Sequence, residues 1–365
     1  MSVLSRKTFV ATLWVCCALL TACGQGEVTH FAEDEYPQAL SDWGIIELDG
    51  QRLKVNEAVV VYDLNTALFS DYALKLRTVF VPQGQSASYH PTETFDMPVG
   101  SIISKTFFYP KDNQGRLLTT NTWQGDPKAI TTATHHLVET RLLVKQDNGW
   151  DAVSYIWQDD EAYLSITGKL QRLTLANDEP LNYLVPSRNQ CASCHATNHT
   201  TGEIQPIGIK TRHLNRETSL YQANQLTHWQ DKGLLAGVVE PAPANALWDD
   251  NNASLNHKAR SYLDINCGHC HNSAGAADTS GLLLDYADHP KIAMGYCKPP
   301  IAAGKGTGGR LYSIVPGHPE ASILSFRLDT SDPSMMMPEL GRSLVHAEGV
   351  ALVSSWIAQL EGECI

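Results

Sequence analysis

Asn266-Cys267-Gly268-His269-Cys270-His271 contains a Cys-x-x-Cys-His pattern, and Cys191-Ala192-Ser193-Cys194-His195 repeats it upstream. This pattern reads as a c-type haem attachment site. The two thiols become thioethers to the haem vinyl groups, and the adjacent His becomes the proximal iron ligand. Close spacing lets one turn of chain clamp both the porphyrin edge and the metal. Two complete matches predict two covalently attached haem c groups, with Cys191, Cys194, Cys267 and Cys270 as thioethers and His195 and His271 on iron. A zinc site also uses Cys and His, but neither motif has a second pair at zinc-finger spacing. A thioredoxin-like dithiol needs no His after its second Cys.

The chain has 365 residues, enough for two or three domains. Its 43% hydrophobic and 18% charged content is an ordinary globular balance that excludes overall disorder. A formal net charge of -12 argues against a nucleic-acid partner, because phosphate binding wants a basic face.

Arg6 and Lys7 precede an apolar run from Phe9 to Leu20, and Leu20-Thr21-Ala22-Cys23 reads as a lipobox. A run this short with a positive flank is a signal segment and not a spanning helix. This resemblance to bacterial lipoprotein signals implies cleavage before Cys23 and lipidation of that residue, a stable anchor. Gly24 follows, with no Asp to suggest inner-membrane retention. The expected location is the periplasmic face of the cell envelope, at the outer membrane. An ordinary secretory signal is the rival reading. Of 9 cysteines, two leave with the signal, one takes lipid and four hold haem. Cys297 and Cys364 remain. An even remainder in an oxidising compartment reads as a disulfide, with two free thiols as the alternative.

The expected domains are a signal peptide over 1–22, a tether over 23–36, a β-rich domain over 37–180, a first haem segment over 181–250 and a second haem domain over 251–365. Val59, Val61 and Tyr62, then Val79, Phe80 and Val81, are strand formers. Leu142-Leu143-Val144, Asp147-Asn148-Gly149 and the alternation around Val153, Tyr155 and Trp157 predict a hairpin. The fold class expected is multidomain α+β: an N-terminal antiparallel sandwich or barrel, then mainly α-helical haem domains. Helices are predicted over Ser219 to Gly233, from Leu255 into the second motif, and over Ala347 to Leu360. A helix before the motif and a C-terminal helix crossing it would resemble the class I cytochrome c arrangement.

Such a site takes a soft distal ligand from a late loop. Ser334-Met335-Met336-Met337-Pro338 sits there, and Met337 is the first choice, held extended by Pro338, with Met336 second. No Met lies between His195 and Met294. The candidates for the sixth ligand of the first haem are His228, then His213, with His199 placed toward the proximal side of the ring; an open site and a surface role for each histidine are the rival readings.

Three stretches resemble segments that recur together in a group of uncharacterised dihaem c-type cytochromes, many of them bacterial lipoproteins and some encoded beside a parallel β-helix repeat protein. They are the second motif, Ile314-Val315-Pro316-Gly317-His318-Pro319-Glu320-Ala321-Ser322 and Met337-Pro338-Glu339-Leu340-Gly341-Arg342. Phe69 to Ala73, Glu139 to Leu143 and Pro186 to Cys191 extend the resemblance over nearly the whole mature chain. It implies haem binding and electron transfer, and no substrate. The expected function is electron transfer in the bacterial cell envelope, with other envelope redox proteins as partners and the membrane reached through the lipid anchor. No catalytic residue is assigned. The alternative is a peroxidase-like dihaem oxidoreductase with an open first haem. A binding module whose β domain docks a partner is a third class.

Overall fold

The computed structural model describes residues 27–120, 123, 125–301 and 303–365. The signal segment, Cys23 and the start of the tether lie outside the described residues. No helix among them is long and apolar enough to cross a membrane.

The N-terminal part carries a hairpin of β1 (Ile46–Asp49) and β2 (Arg52–Val55), then β3 (Val60–Tyr62), β4 (Leu74–Phe80), the two-residue β5 (Ala87–Ser88) and β6 (Ile102–Pro110). After these come β7 (His135–Gln146), β8 (Gly149–Gln158), β9 (Glu161–Ser165), β10 (Lys169–Thr174) and β11 (Pro180–Val185). Six of them pair antiparallel in the order β3-β4-β6-β7-β8-β9. Gln146 pairs with Gly149, so Asp147 and Asn148 make a two-residue hairpin turn.

Successive side chains of a strand point to opposite faces. In β6, Ile102 and Phe108 join one core, while Ile103, Phe107 and Tyr109 join the cores of the other face. The first face is covered by Leu40, Trp43, Ile45 and the β1–β2 hairpin. Trp43 is fully buried, and its Nε1 donates to Tyr155 Oη at 2.7 Å. A tryptophan so placed contributes about 3 kcal/mol. The second face is covered by Ile207, Ile209, Leu226 and Trp229, with Cys191 and Ile265 in the same cluster. Leu181, Tyr183 and Val185 of β11 cover the rest of it.

Among the described residues six α-helices follow: α1 (Arg188–His195), α2 (Thr211–Leu214), α3 (Gln225–Asp231), α4 (Leu255–Leu263), α5 (Ile323–Leu328) and α6 (Ala347–Ala358). Ala259, Tyr262 and Leu263 of α4 pack against Val353, Trp356 and Ile357 of α6. Gly349 sits where a Cβ would strike the Tyr262 ring, so this crossing admits only glycine. Cys297 and Cys364 are joined in a disulfide that closes a separation of 67 residues. A link over a loop of that length is worth roughly 4 kcal/mol.

This architecture corrects the expected fold. The β region is one six-stranded sheet whose faces are covered by hairpins, loops and short helices, and is neither a sandwich nor a barrel. The segments after Pro186 are not mainly helical class I cytochrome c domains. The longest α-helix has 12 residues and the one carrying the first motif has 8. The helix expected over Ser219 to Gly233 shrinks to α3, because Asn224 caps it by accepting from Leu226 N, and Glu217–Thr218 pairs with Ala223–Asn224 just before it.

Candidate functional site

A capping box starts α1. The Ser187 side chain accepts from Gln190 N, and Gln190 Oε1 accepts from Ser187 N at 2.9 Å. This places Cys191, Cys194 and His195 along two turns of one short helix. His195 is then fixed twice by Gln205: its Nδ1 donates to Gln205 O at 2.8 Å, and Gln205 N donates to His195 O at 2.8 Å.

The second motif leaves α4 through a π turn over Asp264–Gly268. A Cβ at Gly268 would lie 2.8 Å from the Asp285 backbone, so the close approach requires glycine there. His271 Nδ1 donates to Leu282 O at 3.2 Å, and Leu284 N donates to His271 O at 2.8 Å. Both histidines thus have Nδ1 tied to a carbonyl, which fixes the ring and leaves the Nε2 lone pair as the available donor.

The fold brings the two motifs together. Cys270 Sγ lies 3.8 Å from Ser193 O, Asn272 Nδ2 donates to Thr197 O at 3.4 Å, and His199 N donates to Ala274 O at 2.6 Å. All four motif cysteines are free thiols. Burial raises Cys191 and Cys194, and pushes Cys267 up to about 12 and Cys270 to about 11. A dithiol exchange centre needs a lowered thiol, so that chemistry does not fit. Burial and the nearby Lys105 lower His195 to about 3. His269, buried within the second motif, falls to about 4, chiefly through burial.

A cavity of about 150 Å³, or about 1410 Å³ with its open mouth, lies between the sheet and both motifs. The enclosed part is benzene-sized, and the larger figure takes in open solvent. Cys191, Cys194 and His195 form one wall, Ile265, Asn266 and His269 a second, and Arg77, Lys105 and Arg141 of the sheet a third. Pro338, Leu340 and Arg342 close it from the late loop. Phe69 N donates to Asn266 Oδ1 at 2.8 Å, and Asp71 Oδ1 accepts from Ser343 N and Leu344 N at 2.7 Å each. Asp71 and Tyr72 hold positive φ values of 49° and 60°, strain sustained by that clamp. Stretches far apart in sequence, Phe69 to Ala73, Glu139 to Leu143, Pro186 to Cys191 and Met337 to Arg342, therefore meet at one place.

The other residues singled out from sequence fall elsewhere. His228 stacks on Tyr221 with centroids 3.6 Å apart and does not line this cavity. His213 is buried against Asn245 at 3.2 Å and Asp264 at 3.7 Å, and His199 is exposed. Met337 lines a separate cavity of about 10 Å³, room for one water, with Tyr262, Leu328 and His346. His271 lines neither cavity. Arg342 holds the Met337 loop shut by donating to the carbonyls of Arg327, Thr330, Met337 and Leu344. His269 and the three cations of the sheet wall line the cavity without carrying a ligand signal in the sequence. In the sequence His269 is a spacer position inside the second motif.

No family model matches the chain, and neither the curated proteins nor the solved structures contain a match. The resemblance to the dihaem c-type cytochrome group is accordingly corrected. The chain is mostly sheet with short helices, no family model supports membership, and among the described residues no three His, Cys, Asp or Glu side chains converge on a metal position. A bare-ion site of the zinc type needs such a cluster. Haem brings its own ring nitrogens and asks the protein only for thiols and axial side chains. At the first motif the thiols, His195 and the apolar and cationic walls fit that group, and the benzene-sized enclosed space must widen to admit the ring. At the second the ligands fit, and the space beside Met337 does not.

Proposed function

We propose that the protein binds two haem c groups covalently and passes electrons between redox partners in the bacterial cell envelope, anchored by lipid at Cys23 on the periplasmic side of the outer membrane. One observation carries the reading. Two Cys-x-x-Cys-His segments with free thiols lie against each other, each with its His tied through Nδ1 to a carbonyl. When bound, haem supplies reversible one-electron chemistry. The chain's part is to fix the distance between the two groups, present His195 and His271, and keep the first site walled by Ile265 and Ile207. Met337 is the distal candidate at the second site, reached once its loop opens.

For the first site, His269 is the better distal candidate, because it is buried in the same cavity as His195. A filled sixth position favours electron transfer over a peroxidase-like site. The test is a reversible optical redox titration of the mature protein, with carbon monoxide added to the fully reduced form. Two redox waves and no stoichiometric carbon monoxide binding are expected. His269→Ala should open one binding position per chain. Tight binding in the unaltered protein would instead support the enzyme reading, and no reversible redox change would overturn the proposal.

A further inference from the structure

The sheet wall of the first cavity carries an arrangement that the fold alone does not explain. Arg77 on β4 pairs with Lys105 on β6, and Lys105 pairs with Arg141 on β7, so three cations stand side by side on one face. Lys75 lies on the same face one pair further along. Lys75, Lys105 and Arg141 surround the Phe107 ring at 5.5, 5.3 and 4.4 Å from its centroid. Like charges directly opposite across strands destabilise a sheet. Partners offset part of this. Arg77 reaches Asp63 at 2.9 Å, Arg141 makes a two-pronged pair with Glu139, and Lys75 Nζ donates to Ala73 O at 2.7 Å. Lys105 has no hydrogen bond or ion pair to any described residue; its ring contact with Phe107 is the tie it makes. Its amine stands between two guanidinium groups and faces the cavity, and burial together with Arg141 and Arg77 lowers it to about 7.

We propose that Arg77, Lys105 and Arg141 form an anion-binding row that takes a propionate carboxylate of the porphyrin attached at Cys191 and Cys194. This rests on haem attachment at the first motif. A carboxylate at Lys105 would turn a repulsive row into an alternating one, and charge-assisted hydrogen bonds to a carboxylate are the strong kind. Haem carries two such groups on the side away from its vinyl-derived links. The row and those links would therefore hold opposite sides of one ring, setting its orientation. The acidic surface of the protein gives no reason to expect a nucleic-acid phosphate here.

The experiment is resonance Raman spectroscopy of the haem-loaded protein, with Lys105→Gln, Lys105→Arg and the exposed-site control Lys169→Gln. Haem stoichiometry is measured alongside. Two haems per chain are expected in every variant, since no thiol or axial ligand changes. The propionate bending band of one haem should move in Lys105→Gln, stay in Lys105→Arg and stay in the control. One of the two midpoint potentials should fall in Lys105→Gln, because a cation beside the ring is lost. Two haems with an unmoved propionate band would overturn the row while leaving haem attachment intact. A spectrum that responds to added phosphate or acetate with that band unmoved would assign the row to a free anion and also overturn it. A protein with no covalent haem would sink the underlying reading and this proposal with it.

Discussion

Glu139→Ala is expected to destabilise the protein by about 3–5 kcal/mol, the cost of breaking a buried pair from one side. Glu139 has no solvent exposure. Its Oε1 accepts from Arg141 Nη2 at 2.6 Å and from Tyr183 Oη at 2.7 Å, and its Oε2 accepts from Arg141 Nε at 2.9 Å. Removing the carboxylate strips Arg141 of its counter-ion beside Lys105 and leaves the buried Tyr183 hydroxyl without its acceptor. The surrounding cations make the loss worse, because this carboxylate is the fully buried anion in a row of positive charge. Urea unfolding followed by circular dichroism would show a lower midpoint with an unchanged slope. A loss below about 1 kcal/mol would mean that solvent or relaxation replaces the pair.

Cys191→Ala combined with Cys194→Ala is expected to lower covalent haem from two per chain to one, leaving the second site loaded. Cys267→Ala with Cys270→Ala should do the converse. The fold should survive the first change. The capping box of Ser187 and Gln190 and the Gln205 contacts hold α1 independently of the thiols. Cys191 is a small buried residue whose shortening costs about 1 kcal/mol. Haem-specific absorbance after denaturation, set against protein concentration, measures the count. Loss of both haems from either pair would mean that the sites load as one unit. Loss of neither would remove the thioether assignment.

Much of the sheet was legible because its strands carry β-branched and aromatic residues in alternation, as around Val153, Tyr155 and Trp157. Its layer arrangement was not. Lys75 and Arg77 alternate with Leu74 and Leu76, and Lys105, Glu139 and Arg141 stand among Ser104, Thr106 and Thr140, as a solvent face would, yet these charges face the cavity and the buried Phe107 ring. Only the long-range packing of Cys191 and Ile265 on that face shows this. The helical reading after Pro186 failed for a local reason: the stretch before α3 turns back on itself at Gln222, whose φ is 52°, before Asn224 caps the helix. The motifs were plain in sequence, but not their contact through Cys270 and Ser193. His269 shows the same limit. As a spacer within one motif it carries no signal, and only the fold turns it toward the other.

The most direct test of the central claim is the intact mass of the mature protein, measured after denaturation and organic extraction of loose haem. The expected mass is that of the processed polypeptide plus two haem groups that remain attached, each lost with its own pair of cysteine substitutions. A mass equal to the bare polypeptide, from cells able to attach haem to other secreted proteins, would contradict it.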